Sequence, residues 1–459
     1  MQMHSRMGNG KWLMNDPVYE GGEPCRSACQ GQTWYAEHEG KRYCVLHYPN
    51  EEKNADPDTQ FQTAVRRKLE RQDFNFAGVY FPAYLEDFAS CRFDSRADFS
   101  KATFKGGASF AGAKFEGGVD FFGAEAFGEM NFAKVVFGTN GAGFTRTIFR
   151  KRASFSEAAF DGVAVFNEAY FMDGASFDES YFTEFAWFQS SRFPAGANFF
   201  AAVFSEGAIF EKARFRSQSH WFVGANFSHV TFEGEANFHS AVLSHATFEG
   251  DKFQRSADFT EATLDSTSGG KTDCRRATFK GELYFREAQF KEDTDFYRAN
   301  FLDAVKFIGR GQTGNQEPSD VFAPDGHVSF TRARVEKPEL FSFDTLRLRP
   351  SWLVGVDARK FDFTAVEWYG MPNGPEGGLS DEISRVRQKE QARFPHVLLE
   401  QACQKLAANA EENRQYPVAN EFYYWSMDAA RMSHWSFFKD KSWRDLLQRE
   451  HWTATTTHF

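Results

Sequence analysis

The chain is short of leucine, short of cysteine and without long apolar runs. Nowhere in its 459 residues is there a stretch of roughly 18 apolar side chains, the length that reads as a membrane-spanning helix. Residues 1–15 also lack the apolar centre of a signal peptide, so a soluble, cytoplasmic chain is expected. Six cysteines are too few for a disulfide scaffold. Positive charge is in deficit: 53 Lys and Arg face 63 Asp and Glu, a net charge of -10. That balance does not suit a general nucleic-acid coat, and direct nucleic-acid binding is not expected. Catalytic motifs are missing as well. There is no nucleophile elbow, no HExxH and no glycine-rich dinucleotide turn after a long strand, so no enzyme is expected.

What the chain has instead is phenylalanine, 55 residues of it. From Phe99 onward the rings recur at alternating steps of 5 and 6 residues, most regularly from Phe144 to Phe215. Helices repeat at about 3.6 residues and strands at 2, so neither alone gives this rhythm. A small residue usually stands two positions before each Phe, as at Ala153, Ala164, Ala175, Ala186 and Ala197. Small residue, polar residue and Phe make a very short strand with two side chains inward. The next two or three residues, often Gly, Glu, Lys or Ser, suit a corner.

Four such units span about 22 residues, which predicts a mainly β, four-sided solenoid. Stacked at the strand spacing of about 4.8 Å, the rings form four columns. The first starts at Phe76 and is expected to run on from Phe210 to Phe232. The second starts at Phe81, includes Phe127, and joins Phe215 to Phe238. The third starts at Phe88 and passes from Phe199 through Phe222 to Leu243 and Leu264. The fourth starts at Phe93 and joins Phe204 to Phe227, Phe248 and Cys274. Offset ring stacks add about 0.5–1.5 kcal/mol per pair. Loops are expected at 266–270 and 309–319. The solenoid is assigned to residues 73–370, with a module before it at 1–72 and a helical region after it at 371–459.

The units Ala97-Asp98-Phe99, Ala197-Asn198-Phe199, Ala225-Asn226-Phe227, Ala236-Asn237-Phe238 and Ala257-Asp258-Phe259 resemble the A-(D/N)-(L/F)-x-x repeat of the pentapeptide-repeat family. The resemblance implies a right-handed quadrilateral β-helix. The extra residue in every second unit departs from strict fives and implies two wider corners per coil.

Before the lattice, Cys25, Cys29, Cys44 and His47 form two pairs of soft or borderline ligands. That set suits a structural, tetrahedral Zn2+, with His38 as a possible substitute. A metal would supply folding energy that a segment this poor in aliphatics lacks. Some Phe-centred pentapeptide-repeat proteins look similar here, with a knuckle and a short helix, placed at 63–71. Beyond residue 378, Ser380 is expected to cap a helix carrying Asp381 and Glu382 in its first turn. A break is expected at Pro395, and Pro417 suits the start of another helix. The run from Ala419 to Arg431 resembles a helical hairpin that follows the solenoid in relatives.

Charge marks the candidate interaction surfaces. Glu157, Asp161, Glu179, Glu184 and Glu206 belong to an acidic stretch, with Glu157 above Glu179 and Glu184 above Glu206 by one coil. Trp435, Phe437, Phe438 and Trp443 form an aromatic tail that packs on its own domain or meets a partner. The reading that follows is a non-enzymatic interaction scaffold with a protein partner, and homo-oligomerisation through the C-terminal region is compatible with it. The resemblance also allows a DNA mimic that binds a type II topoisomerase such as gyrase, or a regulatory or sensor subunit of a membrane-linked assembly.

Overall fold

The computed structural model describes residues 34–49, 60–83, 88–216, 224–265, 270–310, 321–323, 325–371 and 376–440, with backbone only from 434. A β-hairpin, β1 (Trp34–His38) and β2 (Lys41–Cys44), comes first. Helix α1 (Gln60–Glu70) follows. Short parallel strands then climb a solenoid of about 12 turns, from Tyr80–Phe81 to Glu367–Trp368. Helices α2 (Leu379–Lys389), α3 (Pro395–Glu412) and α4 (Tyr416–Asp440) end the described chain.

Two kinds of corner set the 5-and-6 rhythm. On the first and third faces the residue before the Phe is usually Asp, Asn, Ser or Thr. Its side chain accepts the backbone N–H two residues on, as Asp98 does from Ser100 (2.9 Å) and Asn131 from Ala133 (2.9 Å). This local bond closes the turn. The residue two after the Phe then takes a left-handed backbone, including Lys134, Arg146, Glu157, Glu168 and Glu179 at φ 54–58°. The following N–H closes back on the Phe carbonyl, as in Ala102 to Phe99 (3.1 Å). These are the tight corners. The wide ones follow the second and fourth faces and use glycine where coils touch. At Gly162 a Cβ would lie 2.5 Å from the Thr139 carbonyl oxygen.

The rings fill the interior as expected within columns and also interlock across it. Phe144 and Phe166 stack at 4.8 Å with planes 2° apart. First- and third-column rings meet edge-on in a zipper, as in Phe155–Phe166 and Phe166–Phe177, both 5.3 Å at 86–87°. Offset stacks and T-shaped pairs are the two favoured aromatic geometries, and each central ring has both.

Register corrects the expected columns at two places. Ala197 pairs with Ala225 and Val203 with Thr231, so the coil between them takes 28 residues rather than 22. The first column therefore passes from Phe210 to Phe238 (5.0 Å), the third from Phe199 to Phe227 (5.0 Å) and the fourth from Phe204 to Phe232 (5.2 Å). The second passes from Phe215 to Leu243. The expected joins are each one face out. The added length falls around 217–223, so Phe222 lies outside the described residues. The second correction is at Phe127. Ala126 takes the inward slot between Phe104 and Phe149, and Phe127 faces outward between Lys105 (4.7 Å) and Arg150 (4.8 Å).

Both ends are covered, which keeps strand edges from pairing with other chains. At the start α1 buries Phe61, Ala64 and Val65, and Phe61 meets Phe81 edge-on at 6.0 Å. At the other end Trp368 meets Phe422 of α4 at 5.1 Å. Asn409 of α3 donates to the Ala358 and Phe361 carbonyls at 3.1 and 2.7 Å. Arg349 pairs with the fully buried Glu382 of α2 at 2.7 Å. Gly378, not Ser380, is the residue at the α2 N-cap, and no side chain caps it. Pro395 opens α3 rather than kinking it, since its fixed φ and missing N–H suit a first turn.

Candidate interaction faces and metal centre

Each face presents one outward residue per coil just before its Phe. The third face is a polar ladder that includes Ser109, Asn131, Ser154, Ser176, Asn198 and Asn226, in register. Part of it is consumed by the fold. Asn226 donates to Asn198 (2.7 Å) and Ser156 to Asp178 (2.6 Å), and Ser176 also donates to Asp178. The first face differs. Gly143, Val165, Trp187 and Ile209 succeed one another there.

The acidic stretch is less uniform than its sequence. Lys134 reaches Glu157 (3.5 Å), Arg146 reaches Glu168 (2.8 Å) and Lys151 reaches Asp173 (3.9 Å), each from one coil earlier. The Arg146 hydrogen bond holds the Glu168 carboxyl below the usual range, against desolvation and with help from the Arg146 charge. Such exposed pairs are worth little singly, but they set a cation beside three of the acids. Asp161, Glu179, Glu184 and Glu206 have no ion-pair partner among the described residues. Asp161, Glu184 and Glu206 share the wide corner between the fourth and first faces, whereas Glu157 and Glu179 share the tight corner between the third and fourth.

Two of the four expected zinc ligands fall on described residues. Cys44 ends β2, and His47 follows in the turn that returns the chain to the first coil. The His47 Nε2–H donates to the Ala77 carbonyl (2.9 Å), and Nδ1 faces Cys44 Sγ at 3.1 Å. A carbonyl on the far nitrogen is how a metal-bound imidazole is commonly held. Zinc bonds of about 2.3 Å to sulfur and 2.0–2.1 Å to nitrogen at a tetrahedral angle set the two atoms about 3.6 Å apart, so the pair at 3.1 Å would open slightly to hold the metal. Cys25 and Cys29 lie outside the described residues, and among the described ones no three His, Cys, Asp or Glu are grouped for a metal. His38 lies edge-on to Tyr48 at 6.0 Å. The side chains of Trp435, Phe437 and Phe438, and all of Trp443, are also outside the described residues.

One buried group was not anticipated. Asp251 stands in the inward slot held by Ala or Val in most other coils, and it is fully buried. Its Oδ1 accepts the Val230 N–H at 2.8 Å, while Oδ2 has no partner. Burial pushes its carboxyl well above the usual range, against the backbone hydrogen bonds of Val230 and His229. Cys274 of the next coil fills a Phe slot, and burial followed by the charge of Asp273 and Asp251 pushes its thiol up. A polar residue in the Ala slot was the available signal. Thr147, Ser180 and Ser191 occupy such slots too, but their hydroxyls donate to the Phe121, Phe177 and Phe188 carbonyls.

Alternating turn chemistry, inward Phe and a coil of about 22 residues characterise the repeat, and residues 84–125 match the family described as pentapeptide repeats (9 copies). The matched residues are similar to pentapeptide repeats. No curated protein matches the chain. Among the described residues, no helix is long and apolar enough to cross a membrane.

Proposed function

We propose that the chain is a pentapeptide-repeat protein that acts as a non-enzymatic protein-interaction scaffold. The observation that carries the reading is the division of side chains. Phe and Ala are spent on the core, both ends of the solenoid are covered, and the faces hold ordered outward ladders. A rigid rod with regular outward positions suits partner display. The test is affinity purification of the full chain from its native cell with chemical crosslinking. Crosslinks from partner proteins to outward ladder positions support the reading, and the absence of any specific partner overturns it.

The same reading places a structural Zn2+ on Cys25, Cys29, Cys44 and His47 as a proposal, supported by the proximity of Cys44 and His47. Metal analysis of wild type against Cys44→Ser tests it, and an unchanged zinc content refutes it. DNA mimicry toward gyrase is the weaker reading, because Glu157, Glu168 and Asp173 have cationic partners. A gyrase pull-down lost on neutralising Glu179, Glu184 and Glu206 would revive it.

A further inference from the structure

The wide corner between the fourth and first faces changes character over three coils. Gly162 and Gly234 leave no room for a Cβ, which would lie 2.5 Å from the Thr139 oxygen and 2.3 Å from the Glu206 carbonyl carbon. Between them the equivalent positions are Glu184 and Glu206, both exposed. Asp161 lies on the same corner one coil below Glu184, and Glu233 and Glu235 one coil above Glu206. None of these five has an ion-pair partner among the described residues. They span about 14 Å at the coil spacing.

An apolar strip runs directly beside this edge on the first face. Val165, Trp187 and Ile209 are successive register partners. Val163 and Phe185, two residues before Val165 and Trp187, are 37% and 42% exposed. Gly207 lets the Phe185 ring lie flat, since a Cβ there would come within 2.6 Å of it. The other edge of the face is different: Glu168 is held by Arg146 and Glu211 by Lys212 (2.8 Å). The strip is therefore apolar in the middle and acidic, without cations, along one side.

We propose that this strip docks a basic amphipathic helix of a partner protein, lying along the solenoid axis. The surface deepens the scaffold reading and rests on it. Apolar residues of the helix would cover Val165, Trp187 and Ile209, and Lys or Arg on the adjoining side would meet Asp161, Glu184 and Glu206. Pitch selects a helix over a strand. A helical turn advances about 5.4 Å, so basic residues at i, i+4 and i+7 drift only about 0.6 Å per coil of about 4.8 Å. Same-side residues of an extended strand are about 6.7 Å apart and lose register by about 2 Å per coil.

The experiment uses the full chain and three labelled synthetic peptides in fluorescence anisotropy. One is a stable helix with a Leu stripe and Lys at i, i+4, i+7 and i+11. The second has Glu for Lys, and the third alternates Lys and Leu as a strand. The proposal expects the Lys helix to bind best. Its affinity should fall about tenfold or more in Glu184→Lys/Glu206→Lys and in Trp187→Ser. Asp173→Lys/Glu179→Lys makes the same charge change on other corners and should alter it by less than about twofold. Circular dichroism checks that each variant keeps its solenoid, and Phe185→Ser replaces Trp187→Ser if that variant does not. An equal loss in the control pair, tighter binding of the alternating peptide, or no binding of the Lys helix overturns the proposal. Cellular partners retained by the Glu184→Lys/Glu206→Lys variant would also overturn this surface while leaving the scaffold reading intact.

Discussion

The coils from Phe144 to Phe215 and the described parts of those from Phe238 to Phe285 share the same strand ladders around different cores. In the first set every column slot holds Phe, and stacked neighbours such as Phe166–Phe188 and Phe171–Phe193 sit 4.8 Å apart with planes 2–4° apart. In the second set Leu243, Leu264 and Cys274 take three slots, and Asp251 takes an Ala slot. The first column continues, but its planes open to 24° at Phe259–Phe285. The ladders nonetheless hold register, as in Lys252 with Thr278 and Ala257 with Leu283. Corner chemistry is unchanged as well, since Asp258 still accepts from Thr260 (2.8 Å). The backbone path is thus set by turns and ladder bonds, while the rings determine how tightly each coil is filled.

The largest expected difference between the two sets is in the cost of truncation. Phe177→Ala should lose about 3–5 kcal/mol, because a central ring leaves a cavity and takes stacked and T-shaped contacts with it. Leu264→Ala should cost less, nearer about 2–3 kcal/mol. Urea unfolding of both variants checks this, and equal costs would break the comparison.

Asp251 comes next. Its folded-state pKa is raised, so its contribution is most favourable at low pH, where the carboxyl is protonated folded or unfolded. As pH rises, the unfolded chain ionises first and stability falls until the folded pKa is reached. Asp251→Ala should therefore stabilise the chain by about 1–3 kcal/mol at pH 7. The Val230 N–H keeps its bond to the Phe227 carbonyl (3.0 Å). Thermal unfolding against pH should show the gain shrinking toward pH 4, and a gain independent of pH would contradict the assignment.

A smaller effect follows from pairing two changes. Cys274→Phe in the Asp251→Ala background restores both the ring and the small residue found in the regular coils. It should gain about 1 kcal/mol beyond the sum of the single changes. A double-mutant cycle measures this, and strict additivity would show that the two slots do not share space. Smallest of all is Arg146→Ala, expected to leave the unfolding midpoint nearly unchanged because its pair with Glu168 is exposed. A larger loss in the same unfolding assay would mean that surface pairs contribute to the difference between the coils.

The repeat was legible because each coil spends its Phe and Ala in fixed places. The passage through 217–223 was not, because Phe222 stands five residues before Phe227 and imitates the lattice. A sharper signal was present. Asn226 matches Asn198 in an Asx turn, and such turns occur on the first and third faces, so Ala225-Asn226-Phe227 could not belong to the fourth. Phe127 misled in the same way, through Ala126 beside it. The acidic residues were found, but their pairing depends on cations one coil away, as in Arg146 and Glu168, 22 residues apart. The apolar strip was missed because Val165, Trp187 and Ile209 are adjacent only after coiling.

Crosslinking across the 28-residue coil is the most direct test of this register. Val203 and Thr231 are neighbours on the fourth face, within the Cα separation of about 4.4–6.8 Å that a disulfide needs. On oxidation Val203→Cys/Thr231→Cys should form the 203–231 disulfide, identified by peptide mass mapping, and Val203→Cys/Asn226→Cys should not form its counterpart. A 203–226 disulfide in place of 203–231 would contradict the column assignment beyond Phe204 and the placement of Glu233 and Glu235 one coil above Glu206.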